Sequence, residues 1–208
     1  IGNIVQEVDP YGTSKNRKFF LTGRGNFRYD IAKTAVYKGN RKDTEKPRHL
    51  GILRDYLILK YDAIVTEGYE ADDAIGIHAN YYGYDNVVVV SIDKDFEQLP
   101  TTLFNPSKWE WKTVDKWTAT KNFYKQILTG DRVDNIIGLM GIGPVKAEKL
   151  LAACDSEKSL YHACVDAYDD GKYGGDISGF DTAKERVLEN GRLLWIQRYL
   201  GEMWEPPK

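Results

Sequence analysis

Seven carboxylates fall in three short clusters between positions 70 and 134: Glu70, Asp72 and Asp73; Asp93 and Asp95; Asp131 and Asp134. Two unit negative charges about 4 Å apart repel by roughly 4 kcal/mol at an effective dielectric near 20. A site that gathers several carboxylates therefore calls for cations. Hard oxygen donors suit Mg²⁺ or Mn²⁺, which keep several waters and bind substrate phosphates. The chemistry such a cluster points to is two-metal hydrolysis of a phosphodiester. Each cluster taken alone also has a plainer reading. Glu70 to Asp73 suit the first turn of a helix, Asp93 and Asp95 suit a turn after a strand, and Asp131 and Asp134 suit a solvated helix face.

The elements that must position these acids can be read around them. Ala63 to Thr66 reads as a strand, Glu70 to Tyr82 as a helix ended by Gly83, and Val87 to Ile92 as a continuous apolar strand of the kind buried in parallel sheets. Strand–helix–strand alternation predicts an α/β domain with a parallel sheet. In such sheets ligands collect at the carboxyl ends of the strands. Glu70 and Asp93 each follow a strand, so both clusters are expected on one edge. Upstream, residues 1–9 read as a strand through Ile1, Ile4, Val5 and Val8, followed by a turn at Asp9 to Gly12. Lys18 to Thr22 reads as a short strand, and residues 49–60 as a helix. Downstream, Leu103 to Trp117 reads as a hairpin, Lys121 to Leu128 as a helix, 131–153 as helix–turn–helix, and 156–170 and 180–200 as helices around a loop at 171–175.

The segment from Gly138 to Leu151 matches a helix–hairpin–helix. Its Gly141-Ile142-Gly143 turn lets backbone approach a ligand and opens a helix N-terminus, where free N–H groups bind phosphate. Lys146 adds a cation, and Ala147, Leu150 and Leu151 pack the second helix. Contacts of this kind position a nucleic acid without reading its bases.

Composition suits a soluble globular protein. The 208 residues are 42% hydrophobic and 29% charged, enough for one sizeable core. The net charge of −2 hides a division: residues 1–60 carry 13 Lys/Arg against 6 Asp/Glu, and residues 61–140 carry 7 against 13. A basic segment beside an acidic one suits phosphate beside metal. The two cysteines, Cys154 and Cys164, read as reduced, half-buried residues of a cytoplasmic protein. No apolar run is long enough to span a membrane.

In order along the chain, Gly68-Tyr69-Glu70-Ala71-Asp72-Asp73, Ser91-Ile92-Asp93-Lys94-Asp95-Phe96, Gly130-Asp131 to Asn135 and Gly141-Ile142-Gly143 resemble the 5′→3′ exonucleases and flap endonucleases. The resemblance is to the bacteriophage enzymes and to the 5′-nuclease domain of bacterial DNA polymerase I, and runs from about Gly23 to Leu151. It implies a PIN-like α/β core over residues 1–128, with a basic arch segment at about 27–60. A helical module carrying the helix–hairpin–helix would follow over 129–208. It also implies two Mg²⁺ or Mn²⁺ ions, the first held by Glu70, Asp72, Asp73 and Asp93, the second by Asp93, Asp95, Asp131 and Asp134. Lys38 and Arg41 would meet the scissile phosphate, Tyr37 would stack on a terminal base, and Arg24 and Arg28 would contact phosphate. A K⁺ ion at the hairpin is a further expectation. The partners implied are duplex or flapped DNA with a 5′ end and RNA–DNA hybrids, the enzyme acting as a monomer, as in primer removal during phage replication.

The resemblance departs in three ways. The family opens with a strand ending in a metal-binding Asp; none fits here, and that strand is expected upstream of Ile1. The family's Asp near the Gly23-Arg24-Gly25 turn is missing. About 27 residues separate Arg41 from Gly68, a short arch, so trimming from 5′ ends is expected ahead of flap cutting. Two other readings compete: a DNA-junction binding module without catalysis, and a PIN-type ribonuclease, which leaves the helix–hairpin–helix unexplained.

Overall fold

The computed structural model describes residues 1–10, 17–41, 45–170, 180 and 182–208. The expected loop at 171–175 and most of the turn after Asp9 lie outside them. The elements in chain order are α1 (Gly2–Val8), β1 (Phe20–Thr22), α2 (Arg28–Ile31), α3 (Leu50–Tyr61), β2 (Ile64–Thr66), α4 (Ala71–Tyr82), β3 (Val88–Val90), β4 (Thr102–Asn105), β5 (Glu110–Thr113), α5 (Lys116–Thr129), β6 (Gly130–Asp131), β7 (Ile136–Ile137), α6 (Pro144–Leu150), α7 (Glu157–Asp169) and α8 (Ala183–Leu194).

The fold is α/β with parallel pairing, as the alternation predicts. β1 pairs with β2 in parallel, Leu21 opposite Val65; β3 pairs with β4 in parallel, Val89 opposite Leu103; and β5 closes an antiparallel hairpin on β4. The sheet is in two parts, β1–β2 and β3–β4–β5. Phe20 and Leu21 of β1 and Val88, Val89 and Val90 of β3 line one cavity of about 500 Å³ between the parts, which α1 flanks with Ile1, Ile4, Val5 and Val8. The expectation that Val87–Ile92 is buried on both faces is corrected here. Val89 is 5% exposed, but Val88 and Val90 are 38% and 40% exposed.

Two further expectations fail. Residues 1–9 form a helix rather than a strand. Apolar residues at 1, 4, 5 and 8 lie on one helical face, and that period decides the element. The stretch 131–137 is not helical: Gly130 and Asp131 pair antiparallel with Ile137 and Ile136, so only the second helix of the expected helix–turn–helix, α6, is present.

The main core centres on α5, which buries Phe123, Tyr124, Ile127 and Leu128 against Leu160, Cys164, Val187 and Trp204. It runs across the boundary expected at 128/129. Asp115 caps α5 by accepting from Thr118 N at 3.0 Å. No helix among the described residues is long and apolar enough to cross a membrane.

Candidate active site

The strands deliver the acids to one edge. After β2 the chain reaches Glu70, which forms a capping box with Asp73 at the start of α4. After β3, Asp93 caps a 3-10 turn, its Oδ1 accepting from Asp95 N at 2.9 Å. At the end of β6, Asp131 Oδ1 accepts from Val133 N at 2.6 Å and Asp134 N at 3.2 Å, which fixes the backbone carrying Asp134. The plain capping and turn roles are therefore real, and they coexist with convergence.

That convergence is visible electrostatically. Burial, then the charges of Glu70 and Asp93, push the Asp72 carboxyl up to about 7. Burial, then Asp93 and Asp131, push Asp95 up to about 7. The first cluster feels the second, and the second feels the third. Like charges held in a partly desolvated place favour protonation or cation binding. The donors are all oxygen, which fits a hard divalent cation. As placed, no three His, Cys, Asp or Glu side chains among the described residues stand close enough to hold one ion.

Asp73 does not belong with the other six acids. It is 0% exposed and both its oxygens are committed: Oδ1 to Arg28 Nη2 (2.9 Å) and Gln197 N (3.1 Å), Oδ2 to Arg28 Nη1 (2.7 Å) and Glu70 N (3.1 Å). The expected metal role of Asp73 is replaced by a clamp that orients Glu70. Arg28 is corrected with it. Its Nε donates to Leu193 O at 2.8 Å and its Nη2 to Trp195 O at 2.6 Å, so the guanidinium is spent inside the protein and does not face a phosphate. Burial opposes the Arg28 charge, but Asp73 outweighs it and raises the guanidinium pKa.

Tyr37 is also corrected. It is 2% exposed and packs edge-on against Tyr29, which leaves no ring face for a base. Its hydroxyl lies 2.9 Å from Glu70 Oε2 and 2.8 Å from Asp134 Oδ2, bridging the first and third clusters. Burial, then the Glu70 charge, raise its phenol far above the ordinary value and keep it neutral. Lys38 pairs with Glu70 and lies 3.6 Å from Asp134; Arg41 Nη2 reaches Asp134 Oδ1 at 2.5 Å and its Nε reaches Val133 O at 3.0 Å. Both cations thus stand at the acids, Lys38 half-buried and Arg41 exposed. Arg24 is exposed on the turn after β1.

The turn after β1 is closed to a side chain at its first residue. A Cβ at Gly23 would stand 2.1 Å from Thr66 O, so no side chain fits. Thr22, just before it, accepts from Ala71 N at 3.0 Å through its hydroxyl, at the start of α4. Gln126 of α5 was not anticipated either; its amide donates to Asp95 Oδ1 at 2.5 Å. Nothing in the helical pattern of α5 marks it.

In the hairpin, Gly141 has φ +73°, which favours glycine, and Gly143 precedes Pro144 at the start of α6. Leu139 and Ile142 anchor the turn in the core at 4% and 5% exposure, while Gly141, Gly143 and Lys146 are exposed. Lys146 Nζ donates to Gly141 O at 2.8 Å.

The fold has solved counterparts. The bacteriophage T5 D15 protein, crystallised with metal ions, superposes with a TM-score of 0.67 at 20% identity, covering 93% of this chain and 79% of that one. The T5 5′-exonuclease with bound zinc gives 0.64 at 20% identity, again covering 93% of this chain and 79% of that one. The T5 D15 flap endonuclease in a complex with DNA and metal ions gives 0.52 at 16%, covering 92% of this chain and 89% of that one. These likenesses establish the fold. In sequence the chain is similar to DNA polymerase I of Rhizobium leguminosarum, 36% identical over 131 residues, which is 56% of this chain and 13% of that protein. DNA polymerase I of Bacillus subtilis is 35% identical over 162 residues, 68% of this chain and 18% of that protein. The chain thus spans under a fifth of the length of these relatives. The relatives and the solved counterparts agree with the resemblance carried by the motifs. No family model matches the chain.

Proposed function

We propose that this chain is a divalent-metal-dependent 5′→3′ exonuclease acting on phosphodiesters at 5′ ends of duplex or flapped DNA, and on RNA–DNA hybrids in primer removal. The observation that carries the reading is the acidic edge, where Asp72 and Asp95 are both pushed up to about 7 by burial and neighbouring carboxylates, with Lys38 and Arg41 standing against it. Glu70, Asp72 and Asp93 would hold one Mg²⁺ or Mn²⁺, and Asp93, Asp95, Asp131 and Asp134 a second. Bound there, the ions would supply a hydroxide-like water at neutral pH and charge to offset the pentavalent phosphate.

The chain's own residues do the rest. Arg41, 44% exposed at its side chain, offers donors to a phosphate oxygen. Lys38 balances Glu70 and Asp134 and sets the charge next to the reacting phosphate. Tyr37 holds Glu70 and Asp134 together through one hydroxyl. Arg28 and Asp73 fix the start of α4 from beneath. The hairpin N–H groups and Lys146 would grip the backbone of the duplex without reading its bases. A K⁺ at the hairpin would have to displace Lys146 Nζ from the Gly141 carbonyl.

The binding-only reading is favoured by a different observation: Glu70 and Asp134 are paired internally with Lys38 and Arg41, and among the described residues no three His, Cys, Asp or Glu side chains stand close enough to hold one ion. End-labelled duplex with a 5′ overhang, incubated with Mg²⁺ and with chelator, separates the readings. Mg²⁺-dependent release of short 5′ products supports the nuclease; retained binding without cleavage supports the module.

A further inference from the structure

Helix α8 carries a buried ion pair that the site above does not use. Arg186 is 1% exposed and Glu189 6%. Glu189 Oε1 accepts from the backbone N–H groups of Lys33 (2.6 Å) and Thr34 (2.9 Å), and its Oε2 accepts from the Thr34 hydroxyl (2.6 Å) and Arg186 Nη1 (2.9 Å). Four donors meet one carboxylate. A carboxylate that holds consecutive backbone N–H groups fixes that stretch of chain, as a helix cap does. The stretch leads directly into Tyr37, Lys38 and Arg41.

The other end of the pair reaches the hairpin. Arg186 donates to Asn190 Oδ1 and to Ile137 O, each at 2.5 Å, and Asn190 Nδ2 donates to Ile137 O at 2.9 Å. Ile137 ends β7, and the segment that carries the glycine turn begins at the next residue, Gly138. Packing alone does not account for this pair. Apolar residues of similar volume commonly replace buried ion pairs without loss of stability, and Arg186 Nε has no hydrogen-bond partner among the described residues. What apolar residues cannot replace is the grip on the 33–34 backbone.

We propose that Glu189 is a positioning residue that, through Arg186, fixes the distance between the Lys38–Arg41 cations and the glycine hairpin. This rests on the nuclease reading. One of these places grips the duplex and the other faces the phosphate to be cut. Their separation therefore sets where along the strand the cut falls.

The test is Glu189→Gln in the full chain, which keeps the volume but turns an amide toward Arg186 and Thr34. Thr34→Val, which removes one contact only, is the milder companion. Product lengths from an end-labelled duplex should spread over neighbouring positions, and kcat should fall ~10-fold with little change in KM, the mark of a misplaced group. Amide exchange at Lys33 and Thr34 should quicken in Glu189→Gln. Unchanged product lengths, with rates that merely follow the melting temperature, would overturn the proposal while leaving the nuclease reading intact. A parent chain that binds DNA but never cuts would overturn the nuclease reading and this one together.

Discussion

Arg28→Met removes a guanidinium while keeping much of its volume, and it separates two roles that sequence alone does not distinguish. Asp73 is 0% exposed, and its bidentate partner at 2.7 and 2.9 Å is lost in the variant. Two backbone N–H groups remain on the carboxylate, from Glu70 and Gln197. Leaving one member of a buried pair unpaired costs about 3–5 kcal/mol. For a chain of this size each kcal/mol moves the melting temperature by about 2–4 °C, so the fall should be roughly 6–20 °C. The assay is thermal unfolding of the parent, Arg28→Met and the double variant Arg28→Met/Asp73→Leu, together with DNA binding by anisotropy. The double variant should recover much of the loss, because it removes the stranded charge. A fall under about 2 °C with clearly weakened DNA binding would refute the reasoning and return Arg28 to the phosphate role.

The raised carboxyls give a pH dependence of known sign. Asp72 and Asp95 titrate at about 7 in the fold against about 3.9 in an unfolded chain. The folded chain therefore holds more protons between those values, and stability falls as pH rises from about 4 through 7. Melting in chelator should be lower at pH 8 than at pH 5.5, and Mg²⁺ at ~100 times its Kd should return ~2.7 kcal/mol at pH 8 and less at pH 5.5. A melting temperature blind to Mg²⁺ at pH 8 would contradict a metal site. Tyr37→Phe removes a hydroxyl placed between two carboxylates and should cost about 1.5–3 kcal/mol by denaturant unfolding; unchanged stability would mean that the hydroxyl does not hold Glu70 and Asp134. Gly23→Ala should destabilise by about 1–3 kcal/mol by the same method, since its Cβ would meet the Thr66 carbonyl; a neutral result would mean the turn yields freely.

Much of the fold was legible because its signals are local. The helix α4 begins at acids and stops at Gly83, and β2, β3 and α5 sit where the apolar runs place them. At the N-terminus the apolar residues at 1, 4, 5 and 8 suit the helical period better than the strand expected there, and the helix forms. The pairing of β6 with β7 is two residues long on each side, too short to leave a periodic signal. Charge counting failed at Arg28, which is basic in sequence and a buried clamp in space, so the basic segment offers less free charge than its composition suggests. Tyr37 failed for a related reason: an aromatic beside basic residues reads as a stacking platform, but burial turns its hydroxyl to Glu70 and Asp134. The contacts of Gln126 and Glu189 span 31 and at least 155 residues of chain, and no local pattern reports such pairings.

Asp93→Ala is the measurement closest to the central claim, because Asp93 alone is assigned to both ions and its charge raises both Asp72 and Asp95. It is exposed, so the fold should survive the change. The account predicts that Mg²⁺-dependent release of 5′ products from an end-labelled duplex is abolished while DNA affinity stays within about twofold. Undiminished cleavage by Asp93→Ala would contradict it.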